Sequence, residues 1–177
     1  EQTLIDYATR GAYDEWWSAK ENDFTRYFGD HADIPSTMTT GWYDGFPHSD
    51  TEYFAAMAEK IATPQRLIVG PWSHVGMRGD ASWTLDVDFG PDSVWGVDRY
   101  FAEQLLFFDA YLREDGEPLD DPPVRIFVMG GGSGRRTELG KLDHGGRWRD
   151  EREWPLARTA HETWHLGGDG SLSRVAP

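Results

Sequence analysis

Arg66-Leu67-Ile68-Val69-Gly70-Pro71-Trp72-Ser73-His74 contains a short apolar run stopped abruptly by Gly-Pro. Such a run marks a strand buried on both faces, as in a parallel sheet. Just upstream, Glu52 to Ile61 places Tyr53, Phe54, Met57 and Ile61 at helical spacing, and Pro64 closes the segment. Before that helix, Ile34-Pro35-Ser36-Thr37-Met38-Thr39-Thr40 is rich in Thr, extended by propensity, and runs into Gly41. Strand, helix, strand is the βαβ pattern, which puts helices on the faces of a parallel sheet. The fold class expected is therefore α/β.

Further out, a second helix fits Val97 to Leu112, with Val97, Phe101, Leu105, Phe108 and Leu112 on one stripe. Val124 to Met129 is another strand, and Gly130 to Gly146 has the Gly- and Arg-rich composition of a loop. Toward the amino terminus, the Tyr13-Asp14-Glu15-Trp16-Trp17 cluster fits a helix reaching about Phe28. After Trp154-Pro155 the spacing shifts to alternation in Thr163-Trp164-His165-Leu166, so a β-rich unit is expected to begin near residue 157.

Composition bounds the partners. The chain has 177 residues and a formal net charge of −14, which argues against nucleic acid or an anionic membrane surface. It has no cysteine, which removes disulfides, thiolate nucleophiles and cysteine metal sites together. No stretch approaches the ~18 apolar residues needed to cross a bilayer. The chain opens with Glu-Gln-Thr, so a fragment is expected, with any targeting signal upstream. A cytoplasmic location is the default expectation, and a homo-oligomer is compatible with the sequence.

Two segments at predicted strand ends carry the chemistry: Gly41-Trp42-Tyr43-Asp44-Gly45-Phe46 and Gly70-Pro71-Trp72-Ser73-His74. Ligands of open α/β sheets bind outside the carboxyl ends of the strands, so Asp44 and His74 are expected to project into one crevice. A carboxylate held against an imidazole is the orienting half of a nucleophilic triad. The order acid before base matches Ser…Asp…His. No serine sits in G-x-S-x-G; Gly131-Gly132-Ser133-Gly134-Arg135 fails at its last position. The nucleophile is therefore expected upstream of the chain.

Gly41-Trp42-Tyr43-Asp44, Arg66 to His74, Asp88-Phe89-Gly90 and Phe107-Phe108-Asp109 with Leu112 resemble the CocE/NonD hydrolases, a family of esterases and X-prolyl dipeptidyl peptidases. Val124 to Gly130 and Trp148-Arg149…Glu153-Trp154-Pro155-Leu156 are similar to it as well, so the likeness runs from about Tyr13 to Leu172. The resemblance implies part of an α/β-hydrolase domain with a helical cap, running into a β jelly roll. Residues 1–28 are then the returning end of the cap, 29–156 the carboxyl-terminal half of the hydrolase domain, and 157–177 the start of the jelly roll. Asp44 is implied as triad acid and His74 as triad base, acting on a small-molecule ester or amide, or a peptide, without cofactor or metal. Phe46 is expected to face the acyl or leaving-group pocket, and Trp42 and Trp72 to contact substrate. The Thr-rich first strand departs from the more aliphatic one usual in the family. The serine motif and the tyrosine that helps form the oxyanion hole in some members are not in the chain, which by itself should not turn over substrate. The rival reading is a non-catalytic hydrolase-like binding module.

Other patterns are decoys. His161-Glu162-Thr163-Trp164-His165 matches H-E-x-x-H, but that chemistry needs a helix. On an extended strand the two histidines stand ~13 Å apart, too far for one Zn²⁺. Gly140-Lys141 lacks the glycine and Ser/Thr of a P-loop. The basic clusters Arg135-Arg136 and Arg147-Trp148-Arg149 are expected to pair with Asp150, Glu151 or Glu153. The nine tryptophans are expected mainly in cores and domain interfaces.

Overall fold

The computed structural model describes residues 2–176. Its central element is a four-stranded sheet in the order β1-β2-β5-β7, with β1 Ser36–Gly41, β2 Gln65–Gly70, β5 Val124–Met129 and β7 Gly146–Glu151. β1, β2 and β5 run parallel, while β7 returns antiparallel along β5 from Val124 opposite Glu151 to Met129 opposite Gly146. All six residues of β2 are buried, as the apolar run predicts.

Successive residues of β2 face opposite sides of the sheet. Leu67 and Val69 join Met38, Val124 and Ile126 in one core, into which helix α2, Pro47–Lys60, presents Phe54. Ile68 joins Trp72, Met77 and Trp95 on the other side. Arg66 points the same way as Ile68 and pairs at 2.8 Å with Glu103 of helix α3, Gly96–Leu112. One helix thus covers each face, the α/β arrangement the pattern predicts.

Shorter pieces complete the chain. Helix α1 is Gln2–Thr9; β3 Trp83–Thr84, β4 Val87–Asp88 and β6 Leu142–Asp143 form a small sheet. Strands β8 His165–Leu166 and β9 Leu172–Ser173 form a hairpin.

The structure differs from the sequence reading in two places. The Tyr13–Trp17 cluster is not helical, because the Asp14 carboxylate accepts from the Trp16 and Trp17 amides at 3.0 and 3.2 Å and folds a turn instead. Helix α2 starts earlier, at Pro47, where proline's missing N–H costs nothing. The stripe on α3 from Val97 through Phe101, Leu105 and Phe108 to Leu112 is exposed. After residue 157 the described residues form the two-stranded β8–β9 hairpin.

Candidate active site

The site grows out of strand register. Gly41 lies opposite Gly70 at the carboxyl ends of β1 and β2, so the two chains leave the sheet side by side. The pairing then continues without regular strand: the Trp42 N–H donates to the Gly70 carbonyl at 2.8 Å and the Tyr43 N–H to the Trp72 carbonyl at 3.1 Å. Glycine is required here by proximity. A Cβ on Gly41 would stand 2.0 Å from the Trp72 carbonyl oxygen, and one on Gly70 2.4 Å from the Trp72 indole.

This zipper delivers Asp44 and His74 to one point. His74 Nδ1 lies 3.1 Å from each carboxylate oxygen of Asp44. Asp44 is only 5% exposed and also accepts from the Gly45 N–H at 2.5 Å, whereas His74 is 69% exposed. A carboxylate at Nδ1 holds the proton on that nitrogen and leaves Nε2 as the basic one. The buried acid and the open imidazole edge are the arrangement a general base needs.

A cleft of about 320 Å³ opens beside the pair. Phe46 lines it, 55% exposed, with its ring centroid 5.3 Å from that of His74. Trp42 and Trp72, read from the sequence as substrate contacts, line other ground. The Trp42 indole N–H donates to the Phe127 carbonyl at 2.9 Å and its ring packs on the core. The Trp72 indole is buried, donates to the Ser93 carbonyl at 2.8 Å, and packs against Trp95 and Trp148. Both anchor the loops on which the pair stands; neither borders the cleft.

Sequence reasoning missed Thr40, Asp50, Arg78 and Tyr100, which border the same cleft from β1, α2, the turn after β2 and α3. Burial pushes the Asp50 carboxyl above the usual aspartate range; the Thr40 hydroxyl opposes this and the charge of Asp44 adds to it. No sequence pattern marks them, since four separate elements bring them to the cleft.

The decoy patterns resolve into ordinary structure. His161 to Trp164 has no regular structure and His165 opens β8, so no helical turn brings the two histidines together. Lys141 donates to the Leu85 carbonyl at 2.6 Å and lies over the Trp83 ring. Arg149 pairs with Glu151 as expected, while Arg136 pairs with Asp86.

Comparison with known proteins agrees with this picture. Residues 1–76 match the family described as X-Pro dipeptidyl-peptidase (S15 family). Over 140 residues the chain is 36% identical to cocaine esterase from Rhodococcus sp. (strain MB1 Bresler), an alignment covering 78% of this chain and 21% of that enzyme. The chain therefore spans about a fifth of the length of that curated relative. Among solved structures, an aminopeptidase from the marine sediment archaeon Thaumarchaeota archaeon superposes with a TM-score of 0.73 over 99% of this chain and 26% of that one. At 21% identity that likeness speaks for the fold alone. Motifs in one order, the two strand-tip loops and these matches make the chain similar to the CocE/NonD hydrolases, among them cocaine esterase and the X-prolyl dipeptidyl peptidases.

Proposed function

We propose that Asp44 and His74 are the acid and base of a Ser–His–Asp triad that cleaves an ester or amide through an acyl-enzyme, with the serine supplied from outside these 177 residues. The observation that carries this reading is the 3.1 Å contact between His74 Nδ1 and both oxygens of a nearly buried Asp44, with the imidazole otherwise open to the cleft. The serine hydroxyl attacks the substrate carbonyl as Nε2 takes its proton. The tetrahedral intermediate collapses as the imidazolium returns that proton to the leaving group. Water, deprotonated by the same nitrogen, then releases the acyl group and frees the serine. Asp44 keeps the ring in the useful tautomer and stabilises the imidazolium. Phe46 offers an apolar wall to the group that binds beside the ring.

The same reading makes residues 29–156 the carboxyl-terminal part of an α/β-hydrolase domain, 1–28 the end of its cap and 157–177 the start of a jelly roll. The β1-α2-β2 crossover, with acid and base at successive strand tips, supports the first assignment. In the protein that joins this chain to its serine, His74→Ala should abolish both labelling by a fluorophosphonate probe and hydrolysis of a 4-nitrophenyl acyl ester. Undiminished labelling and turnover in that variant would refute the triad. Residues 1–177 alone should hydrolyse neither ester nor amide, whereas activity in that chain would place the nucleophile within it.

A further inference from the structure

We propose that Arg78 is a specificity-determining residue that holds a carboxylate of the substrate in the cleft beside His74, so that the preferred ester or amide is an anionic one. The proposal rests on the hydrolase reading of Asp44 and His74.

The chain has 31 acidic residues against 17 Lys and Arg, and eight of its arginines hold a carboxylate within 4.0 Å. Arg78 holds none among the described residues, although it borders the cleft shared with His74 and Phe46. Six of the fourteen arginines hold no carboxylate among the described residues, and of these Arg78 is the one that lines the cleft beside the acid–base pair, where an anion brought by the substrate would meet it.

The guanidinium is also positioned. Its central carbon lies 4.7 Å from the Tyr100 ring centroid, and Nη2 lies 3.4 Å from the Tyr100 hydroxyl, to which it donates. Stacking engages the face of the guanidinium and leaves most of its edge N–H donors for a planar, two-oxygen acceptor. Arg78 stands on a one-turn 3₁₀ helix, Gly76–Arg78, that starts two residues after His74. The short tether therefore sets an anion bound at Arg78 close to the reacting carbonyl.

The cleft's own carboxyls do not satisfy Arg78. Asp44 is engaged by the imidazole and the Gly45 amide. Asp50 forms no ion pair with Arg78, and its burial disfavours the charge that would repel an anionic substrate.

Two matched pairs of esters test the assignment in the protein that carries the serine: 4-nitrophenyl hemiglutarate against 4-nitrophenyl valerate, and 4-carboxyphenyl acetate against phenyl acetate. For the anionic member of at least one pair, Arg78→Gln should raise KM about tenfold, the size expected for a partly exposed charged hydrogen bond. The neutral esters and kcat should stay within about twofold, and Arg78→Lys should fall between, since an ammonium keeps the charge without the fork. Equal effects on charged and neutral esters, or no effect on either, would overturn the assignment. Failure of the triad is seen separately, as turnover surviving His74→Ala. Should no ester be turned over, glutarate can be titrated into residues 1–177 by NMR. Saturable shifts lost in Arg78→Gln would uphold the anion site, and shifts absent or unchanged by the substitution would dismiss it.

Discussion

Asp44 and His74 depend on each other through a single proton position. Replacing Asp44 with Asn preserves the volume but removes the charge that stabilises the imidazolium and lets the ring adopt the wrong tautomer. Under the proposed triad, Asp44→Asn in the protein that carries the serine should lower kcat by about 10⁴ with the fold intact, read by ester hydrolysis beside circular dichroism. Gly41 is under a different constraint, since its missing Cβ makes room for the Trp72 carbonyl. Gly41→Ala should cost about 1–3 kcal/mol in chemical denaturation and, by spreading the two loops, reduce turnover as well. Asp50 behaves in the opposite sense to a paired carboxylate. Its raised pKa means that the folded state resists ionising it, so stability is lost as pH rises through its folded pKa. Asp50→Asn should therefore raise the melting temperature near pH 7, with the advantage vanishing below the carboxylate range.

Among elements, the joint between β2, β5 and α3 is held by charge as well as by apolar packing. The Arg66 side chain is 8% exposed, pairs with Glu103 at 2.8 Å and donates to Asp121 at 3.3 Å, while Arg125 reaches Glu103 from the neighbouring strand at 3.9 Å. Removing Glu103 takes the shorter of its two carboxylate contacts from the nearly buried Arg66 and leaves it on the half-exposed Asp121. Glu103→Ala should destabilise by about 3 kcal/mol in urea unfolding, whereas the double change Arg66→Met with Glu103→Leu should be close to neutral. Elements were legible in proportion to the regularity of their signal. The apolar run of β2 and the strand Val124–Met129 read cleanly, because strands buried on both faces have few alternatives. The helix Val97–Leu112 read to within a residue, yet its apolar stripe faces outward, since periodicity gives a face but not what covers it. Two-residue strands such as β3, β4 and β6 carry too few side chains to make a pattern. In the same way the Asp14 turn overrode the aromatic cluster through a side-chain bond no periodicity registers.

At the scale of the molecule, the site was half visible in the sequence. Asp44 and His74 could be read because each follows a strand and a glycine within a few residues. Thr40, Asp50, Arg78 and Tyr100 could not, because four separate elements bring them together. Charge also acts globally. Asp150 is held below the usual aspartate range by its bond to Arg125, and Glu151 below the usual glutamate range by Arg158. Such groups stabilise fully above the ordinary carboxylate range, and that stabilisation disappears as pH falls through the lowered values. Melting temperature measured from pH 7 down to 3 should fall on the acid side, and Asp150→Asn should flatten the decline. Near neutrality, self-repulsion at −14 means that added salt should raise the melting temperature.

The pairing of Trp42 with Gly70 and of Tyr43 with Trp72 runs through main-chain atoms. The spacing of Asp44 and His74 is thus inherited from backbone register and not from the side chains that line the cleft. Under the proposed function, exchanging Phe46 therefore changes what the cleft accepts while the spacing of Asp44 and His74 is kept.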